Sequence, residues 1–278
     1  MIIASKKETF RILEEFNLIA KKGYGQNFLI NYETIKKIVD GAEIKNNTLV
    51  IEIGPGLGAL TQELLNVSKK VIAIEIDKKM VEVLKSNFNS SNNLLIINND
   101  FMKVDLNKII EENDEFEEVI VVSNLPYYIT SDILERLISI RNPKIKKIVA
   151  MMQKEVGKKF LKKEGLIESY LKVLIDNYCE VSTVMFVGKN DFEPRPNVDS
   201  IVLDFSLTKD KYLLDYYFFE IIKECLKNRR KTLLNTLPVE NKEKLSEIFK
   251  KKNLKPTCRI EEVGIATMLE LVNEIKVI

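Results

Sequence analysis

The residues best suited to chemistry are residues 123–128, which read SNLPYY and follow a run of bulky apolar residues. The side-chain oxygen of Asn124 and the backbone carbonyl of Leu125 offer two hydrogen-bond acceptors. Pro126 stiffens the loop, and Tyr127 presents a ring face on which a base can stack. Two acceptors match the two N–H donors of the exocyclic amine of adenine, and they draw its delocalised nitrogen toward the tetrahedral geometry of a nucleophile. The motif therefore predicts methylation of an adenine amine, and a turn with packed tyrosines is the structural alternative.

This chemistry requires no strong base, because the amine becomes acidic once it carries the new methyl group. The chain has 278 residues and no histidine, which excludes imidazole bases, Ser-His-Asp and Cys-His nucleophiles, and His-ligated metals. The three cysteines are far apart and form no C-x-x-C pair, so neither a zinc site nor a disulfide framework is indicated. We therefore expect no metal. We also expect a cytoplasmic protein, since no apolar run approaches the roughly 20 residues that span a bilayer.

A glycine-rich turn, residues 52–58 with the sequence EIGPGLG, lies between an apolar run and a helical pattern. Glycines at such a turn let backbone amides and a helix N-terminus approach a ligand closely, which predicts a nucleotide-like cofactor. Gly54 and Gly56, with Ala59, also satisfy the dinucleotide fingerprint G-x-G-x-x-[GA]. The turn by itself is compatible with S-adenosylmethionine, with a redox dinucleotide, or with a plain strand-to-helix connection.

Two acidic residues at later strand ends sharpen this choice. Glu75 ends the second apolar run, some 20 residues beyond the glycine turn, where a carboxylate can accept both hydroxyls of a ribose. Asp100 follows the third run and is positioned to accept from the amine of an adenine. Each acid alone is more often a surface charge, but in an open α/β sheet these strand ends share one crevice. Together they favour S-adenosylmethionine, whose sulfonium methyl needs mainly alignment with the amine.

The elements that must position these residues are short apolar runs that alternate with helical patterns, as in a buried parallel sheet with crossover helices. The predicted strands are 49–53, 71–75, 94–97 and 118–122, with further apolar runs at 145–152 and 198–205. We predict an α/β fold with a doubly wound, Rossmann-like sheet over residues 1–207. Helical patterns at 213–227, 240–252 and 268–275 predict a small helical domain over residues 208–278.

A proline-rich segment, residues 192–200 with the sequence FEPRPNVDS, contains one aromatic residue. A base reaches a pocket of this kind only by leaving its stack or from a loop or single strand. Phe192 is a candidate second stacking face for that base, and a core aromatic beside a turn is the alternative interpretation.

In this order the motifs resemble those of the ribosomal RNA adenine dimethyltransferase family, which dimethylates two adjacent adenines near the 3′ end of small-subunit (16S) ribosomal RNA. The resemblance covers nearly the whole chain. Its motifs are GQNFL at 25–29, EIGPGLG at 52–58, EID at 75–77, Asp100, NLPY at 124–127, QKEV at 153–156, residues 192–200, and NRRKTL at 228–233.

The resemblance implies a role for particular residues. S-adenosylmethionine, released as S-adenosylhomocysteine, would contact Asn27, Leu29, Gly54, Gly56, Glu75, Asp100 and Asn124. The target adenine would be held by Asn124, Leu125, Pro126 and Tyr127, with Phe192 stacked on it. The implied architecture is a methyltransferase domain followed by a small helical domain that helps to engage RNA. The implied partner is small-subunit ribosomal RNA in a precursor of the 30S particle, with the chain acting as a monomer and with a role in subunit maturation.

Three places depart from the family pattern. Tyr128 stands where the small-subunit enzymes usually have asparagine or glutamine, and residues 193–196 vary a more proline-rich segment. Residues 169–172 lack a glycine that is common after the tyrosine. These departures bear on how the second methyl group is accommodated.

Other functions stay open. Large-subunit (23S) adenine methyltransferases of the macrolide-resistance type share the fold and much of the pocket, although Leu125 and residues 54–56 and 153–156 favour the small-subunit branch. A dinucleotide oxidoreductase uses the same glycine turn but leaves residues 124–127 without a role. A non-catalytic ribosome assembly factor binds the cofactor without turnover.

Contact with RNA must come from a local basic surface, because 43 Lys and Arg against 41 Asp and Glu give a net charge of only +2. Arg229, Arg230 and Lys231 are the best candidates, since guanidinium groups suit phosphate. Lys21 and Lys22 come next, because they precede the segment implied to bind the cofactor.

Overall fold

The computed structural model describes residues 2–19, 26–162 and 165–276. The chain divides into two compact units, Met1–Leu161 with Glu180–Leu207, and Lys162–Cys179 with Thr208–Ile278. The second stretch of the second unit begins at the position predicted for the domain boundary. Residues 162–179, which the prediction gave to the first domain, belong to the second unit. The reason is that Ile167 and Val173 are buried in its apolar core.

The first unit is built on a mixed sheet. The described residues contain these strands: β1 Phe28–Leu29, β2 Thr48–Ile53, β3 Lys70–Glu75, β4 Leu94–Asn98, β5 Glu118–Asn124, β6 Ile145–Gln153, β7 Cys179–Val187, β8 Phe192–Glu193 and β9 Ser200–Leu207. Seven of them form one sheet in the order β4-β3-β2-β5-β6-β9-β7, and β1 pairs with β8 in a separate two-stranded sheet. The five neighbouring strands β4, β3, β2, β5 and β6 are parallel to one another, whereas β9 runs antiparallel to β6. The predicted α/β class and its central parallel strands are confirmed.

Helices cover both faces of such a sheet, and those of the first unit are α1 Lys6–Glu15, α2 Tyr32–Ala42, α3 Ala59–Val67, α4 Lys78–Asn87, α5 Leu106–Glu111, α6 Thr130–Ser139 and α7 Lys154–Leu161. Those of the second unit are α8 Tyr170–Tyr178, α9 Tyr216–Lys227, α10 Leu233–Thr236, α11 Lys242–Lys251 and α12 Ile265–Ile275. None of the helices in the described ranges is both long and apolar enough to cross a membrane.

The centre of the sheet determines where a ligand can bind. All six residues of β2 are buried, as expected for a strand covered on both faces. The chain passes from β2 through α3 to β3 on one side, whereas β5 lies on the other side of β2. The strand order therefore reverses between β2 and β5, and the crevice at the carboxyl ends of these two strands is the expected binding place of an open α/β sheet.

Each unit has its own apolar core. In the first unit, α2 and α3 turn a face that includes Ile35, Ile38 and Leu64 toward the central strands. The second unit buries residues of α9, α11 and α12, among them Phe218 and Phe249. Since burial of each large apolar side chain contributes roughly 2 kcal/mol, these faces hold the helices in place.

Candidate active site

A cavity of about 250 Å³ opens at the carboxyl ends of β2, β3, β4 and β5. Nearly all the residues predicted to bind a cofactor or an adenine line it: Asn27, Leu29, Gly54, Gly56, Glu75, Asp100, Asn124, Leu125, Pro126 and Tyr127. Residues almost 100 positions apart in sequence therefore share one site, as the strand-end argument predicts.

The glycine turn follows β2 and begins α3. Gly54 and Gly56 have φ values of +66° and +58°, a left-handed conformation that residues with a Cβ atom rarely adopt. The backbone N–H of Gly54 donates to the carbonyl of Ile74 at 2.9 Å, which ties the turn to β3. A Cβ atom at Gly56 would lie 3.3 Å from the ring of Phe28. The turn therefore exposes the backbone of Gly54 and Gly56 beside the cavity.

Glu75, at the end of β3, faces this turn. Its carboxylate accepts from the backbone N–H of Gly56 at 3.1 Å and from that of Asp77 at 2.9 Å. Burial raises the pKa of Glu75, and the two N–H donors oppose that shift because they favour the charged form. The Glu75 carboxylate is thus held against the glycine turn, at the wall of the cavity.

Asp100 follows β4 and begins a short 3₁₀ turn, Phe101–Lys103. Its Oδ1 accepts from the backbone N–H of Met102 at 2.9 Å, and its own N–H donates to the side chain of Asn99 at 2.8 Å. This capping fixes the position of the carboxylate at the cavity edge.

The NLPY motif begins at Asn124, the last residue of β5, and hydrogen bonds hold each of its residues in place. The Nδ2 of Asn124 donates to the carbonyl of Asn27 at 3.3 Å, which leaves the side-chain oxygen as the acceptor of this amide. The backbone N–H of Leu125 donates to Met151 at 3.1 Å. The carbonyl of Pro126 accepts from the hydroxyl of Thr130, at the start of α6, at 3.0 Å.

Two hydroxyl contacts join the motif to the rest of the sheet. Ser123 donates to the carbonyl of Ile53 at 2.5 Å, across the switch point from β5 to β2. The hydroxyl of Tyr127 lies 2.6 Å from that of Ser200, the first residue of β9. Burial raises the pKa of Tyr127, so the phenol is neutral and holds its ring in place through Ser200.

The N-terminal segment with Asn27 and Leu29 is held by the proline-rich segment. In the β1–β8 pair, Phe28 lies opposite Glu193 and Leu29 lies opposite Phe192. Asp191 reinforces the pair, because its carboxylate accepts from the hydroxyl of Thr34 at 2.9 Å and from Asn31 at 3.1 Å. Sequence reasoning alone did not identify this strand, since two residues are too few for a pattern.

Phe192 is placed differently from the other predicted residues. Its side chain is only 1% exposed and belongs to the apolar core of the first unit, and it is not among the described residues that line the cavity. The alternative interpretation, a core aromatic beside a turn, describes this position. A stacking role for Phe192 requires its ring to leave the core and stays a prediction.

Glu52 was not predicted as a site residue, but it also lines the cavity. The side chain is 1% exposed and accepts from the hydroxyl of Thr61 at 2.6 Å. Burial raises the pKa of Glu52 to about 8, and the charge of Glu75 acts in the same direction. Its sequence signal was an acidic residue inside an otherwise apolar central strand.

The residues predicted to contact RNA divide into three cases. Arg229, in the second unit, donates to the carbonyl of Glu168 at 2.9 Å and pairs with Glu261 at 2.6 Å. Arg230 and Lys231 are exposed, and neither forms an ion pair with another described residue. Lys21 and Lys22 lie outside the described residues.

This strand order, with a glycine turn at the switch point and acidic residues at the next two strand ends, defines an open α/β nucleotide-binding domain of the S-adenosylmethionine-dependent methyltransferase class. The family model described as ribosomal RNA adenine dimethylase matches residues 17–277. The chain belongs to this family.

Particular relatives agree with this assignment. The chain is 38% identical to ribosomal RNA small subunit methyltransferase A of Bacillus mycoides, over 98% of this chain and 96% of the relative. The crystal structure of a dimethyladenosine transferase from Plasmodium falciparum is 28% identical, with a TM-score of 0.71, and the match covers 90% of this chain and 97% of that one. The 23S rRNA methyltransferase ErmE, at 24% identity and a TM-score of 0.65 over 90% of this chain and all of that one, shares the fold.

Proposed function

We propose that this chain transfers methyl groups from S-adenosylmethionine to the N6 amines of two adjacent adenines near the 3′ end of small-subunit ribosomal RNA. Family membership and 38% identity to a small-subunit methyltransferase support this substrate class. The observation that carries the chemistry is Asn124, which lines the same cavity as the glycine turn and Glu75 and whose Nδ2 donates to Asn27, so that its amide oxygen is the acceptor.

The described residues fit the cofactor. The glycine turn exposes backbone to the cavity, and the buried carboxylate of Glu75 lies against this turn. Such an arrangement suits a ribose and the methionine chain attached to the ribose. We propose that Glu75 binds the ribose hydroxyls, that Asp100 accepts from the adenine amine of the cofactor, and that the backbone at Gly54 and Gly56 approaches its methionine part. Asn27 and Leu29 close the same site from the N-terminal segment. The bound cofactor supplies an electrophilic methyl group.

The remaining chemistry belongs to the target adenine. The amide oxygen of Asn124 and the carbonyl of Leu125 accept the two N–H groups of the amine, which localises the nitrogen lone pair. Tyr127, fixed by Ser200, stacks on the base. Pro126 limits the motion of the loop, so that the nitrogen stays in line with the methyl group. The methylated amine releases its proton to water or to Asn124.

The decisive experiment measures methyl transfer to small ribosomal subunits from a strain that lacks the modification. We expect two dimethylated adenines per particle in mass spectra of the RNA. Cofactor binding without methyl transfer would indicate the assembly-factor alternative. Methylation of large-subunit RNA instead would indicate the macrolide-resistance type.

Cofactor titration distinguishes the dinucleotide alternative. We expect S-adenosylhomocysteine to raise the melting temperature, since a ligand that binds only the folded state stabilises it by mass action. NADH at the same concentration is expected to have no effect. We further propose that the chain acts as a monomer in the cytoplasm, on ribosomal RNA within a precursor of the 30S particle, and that Arg230 and Lys231 contact the phosphates.

A further inference from the structure

The first helix, α1 Lys6–Glu15, forms part of the wall of the active-site cavity. Ile3, just before the helix, and Thr9, in the helix itself, both line the cavity. Thr9 is only 1% exposed, so its side chain is shielded from bulk solvent. The family model matches residues 17–277, and α1 precedes that range. None of the cofactor contacts that the family resemblance implies lies on this helix.

Apolar packing and one hydrogen bond hold α1 in this position. Ile3 and Ile12 are buried in an apolar cluster that includes Leu57 of the glycine turn. The backbone N–H of Ile3 donates to the side chain of Gln62, on α3, at 3.0 Å. Residues three positions apart lie on one face of a helix, so Thr9 is on the same face of α1 as the buried Ile12. The place of Thr9 at the cavity is therefore fixed by the packing of α1.

The hydroxyl of Thr9 forms no hydrogen bond with another described residue. It is also not one of the fully enclosed polar atoms without a partner, which in the described part of the chain belong to Asn113, Arg136 and Asn177. The hydroxyl therefore keeps an opening, and the cavity is the space that Thr9 lines. Because a hydroxyl shielded from bulk water costs free energy unless it is paired, this position favours a polar group of a ligand.

We propose that the hydroxyl of Thr9 donates a hydrogen bond to an oxygen of S-adenosylmethionine and so is a further cofactor-binding group. This inference rests on the proposed function, which assigns the cofactor to this cavity. Leu57, in the same cluster as α1, belongs to the glycine turn, and Glu75 contacts that turn at Gly56. The cofactor oxygens proposed for this side of the cavity are the ribose hydroxyls and the carboxylate of the methionine part. Either kind accepts a hydrogen bond from a hydroxyl.

The test compares Thr9→Val, which removes the hydroxyl and keeps the branched shape, with Thr9→Ser, which keeps the hydroxyl. Loss of one hydrogen bond is expected to raise the Kd for S-adenosylhomocysteine about three- to tenfold in Thr9→Val. Thr9→Ser is expected to resemble the unmodified protein, and calorimetric titration measures both values. At saturating S-adenosylmethionine, kcat should be unchanged in Thr9→Val, because the contact is the same in the ground state and the transition state.

The stability of the cofactor-free protein separates a binding role of Thr9 from a structural one. Its hydroxyl has no partner among the described residues, so Thr9→Val is expected not to lower the melting temperature without cofactor. Thr48→Val is the matched control, since Thr48 is also buried and its hydroxyl donates to Glu118 at 2.7 Å. Thr48 begins β2, at the opposite end from the glycine turn. Thr48→Val is expected to lower the melting temperature and to leave the Kd unchanged.

A nucleoside without the amino-acid part, 5′-methylthioadenosine, identifies the cofactor oxygen. An equal loss of affinity in Thr9→Val for this nucleoside and for S-adenosylhomocysteine would assign the hydrogen bond to the ribose. A loss for S-adenosylhomocysteine alone would assign it to the carboxylate. Both results support the inference.

Other outcomes overturn it and are distinct from failure of the proposed function. An unchanged Kd for S-adenosylhomocysteine in Thr9→Val would refute the contact. An equal loss in Thr9→Ser would refute it as well, because the shape of the side chain and not its hydroxyl would then matter. Unmodified protein that binds no S-adenosylhomocysteine would refute both the contact and the proposed function. Unmodified protein that binds it but methylates no small subunits would refute the proposed function alone.

Discussion

Asn124 is the residue on which the chemical step depends most directly. Its Nδ2 is engaged by the carbonyl of Asn27, and its oxygen is therefore oriented as an acceptor. Removal of one acceptor that acts in the transition state costs about 3 kcal/mol, so Asn124→Ala should lower kcat by roughly a hundredfold or more. Single-turnover methylation of small subunits measures this change.

Glu75→Ala is the contrasting variant. Its carboxylate contacts the glycine turn, so its loss is expected to weaken S-adenosylhomocysteine binding, with the rate partly recovered at saturating cofactor. If Asn124→Ala retained full turnover, the acceptor role of Asn124 would be refuted.

Glu52 makes stability depend on pH. Its pKa is about 8 in the folded protein and has its ordinary value of 4.5 in the unfolded chain, so the unfolded chain loses this proton first as pH rises. Stability is therefore expected to fall between about pH 4.5 and about pH 8, by roughly 1 kcal/mol per pH unit, relative to Glu52→Gln. Urea unfolding of both proteins at about pH 5.5 and about pH 7.5 measures the difference. A constant difference between the two proteins would mean that Glu52 titrates normally.

At the scale of elements, the β1–β8 pair joins the segment of Asn27 to the segment that follows Asp191. The Asp191 carboxylate links this pair to the start of α2 through Asn31 and Thr34. Loss of two hydrogen bonds to a charged group should lower the free energy of unfolding by about 2 kcal/mol in Asp191→Ala. The cofactor affinity should fall as well, because Asn27 and Leu29 lose their support.

Urea unfolding and calorimetric titration with S-adenosylhomocysteine measure these two effects. Asp40→Ala is the control, since Asp40 is an exposed carboxylate at the other end of α2. An Asp191→Ala protein that is destabilised but binds the cofactor normally would show that the β1–β8 pair does not support the cofactor site.

The elements that sequence reasoning predicted are those whose pattern is local. Glu75, Asp100 and Asn124 were identified because each stands at the end of an apolar run, and parallel strand ends meet at one edge. The Asn31–Asp191 contact joins residues 160 positions apart, and neither β1 nor β8 is long enough to show a period. The core position of Phe192 follows from that pairing, and neither its residue type nor the family resemblance, from which a stacking role was predicted, reveals it.

At the scale of the whole molecule, the two units differ in how well their boundaries could be predicted. The predicted boundary near residue 208 rests on a change of period from strand-like to helical patterns, and the second stretch of the second unit begins at Thr208. The stretch 162–179 contains α8 and so resembles a crossover connection of the sheet. Only the burial of Ile167 and Val173 shows that this stretch belongs to the second core.

Because the net charge of the whole molecule is close to zero, RNA affinity must come from a few basic side chains. In the second unit these side chains differ in whether they form ion pairs within the described residues. Arg230 and Lys231 are exposed and without an ion pair in the described residues, whereas Arg229 is engaged by Glu168 and Glu261. Each phosphate contact that is removed should reduce the slope of log Kd against log salt concentration by about one. We therefore expect Arg230→Ala and Lys231→Ala each to lower the slope for binding to small subunits.

Arg229→Ala should lower the melting temperature with a smaller change in slope, because its guanidinium already holds the loop around Glu168. Lys255→Ala is the control for an exposed lysine of the same unit and should leave the slope unchanged. Filter binding at several salt concentrations decides the matter. Equal slopes for all of these proteins would place the RNA contact on basic residues other than Arg230 and Lys231.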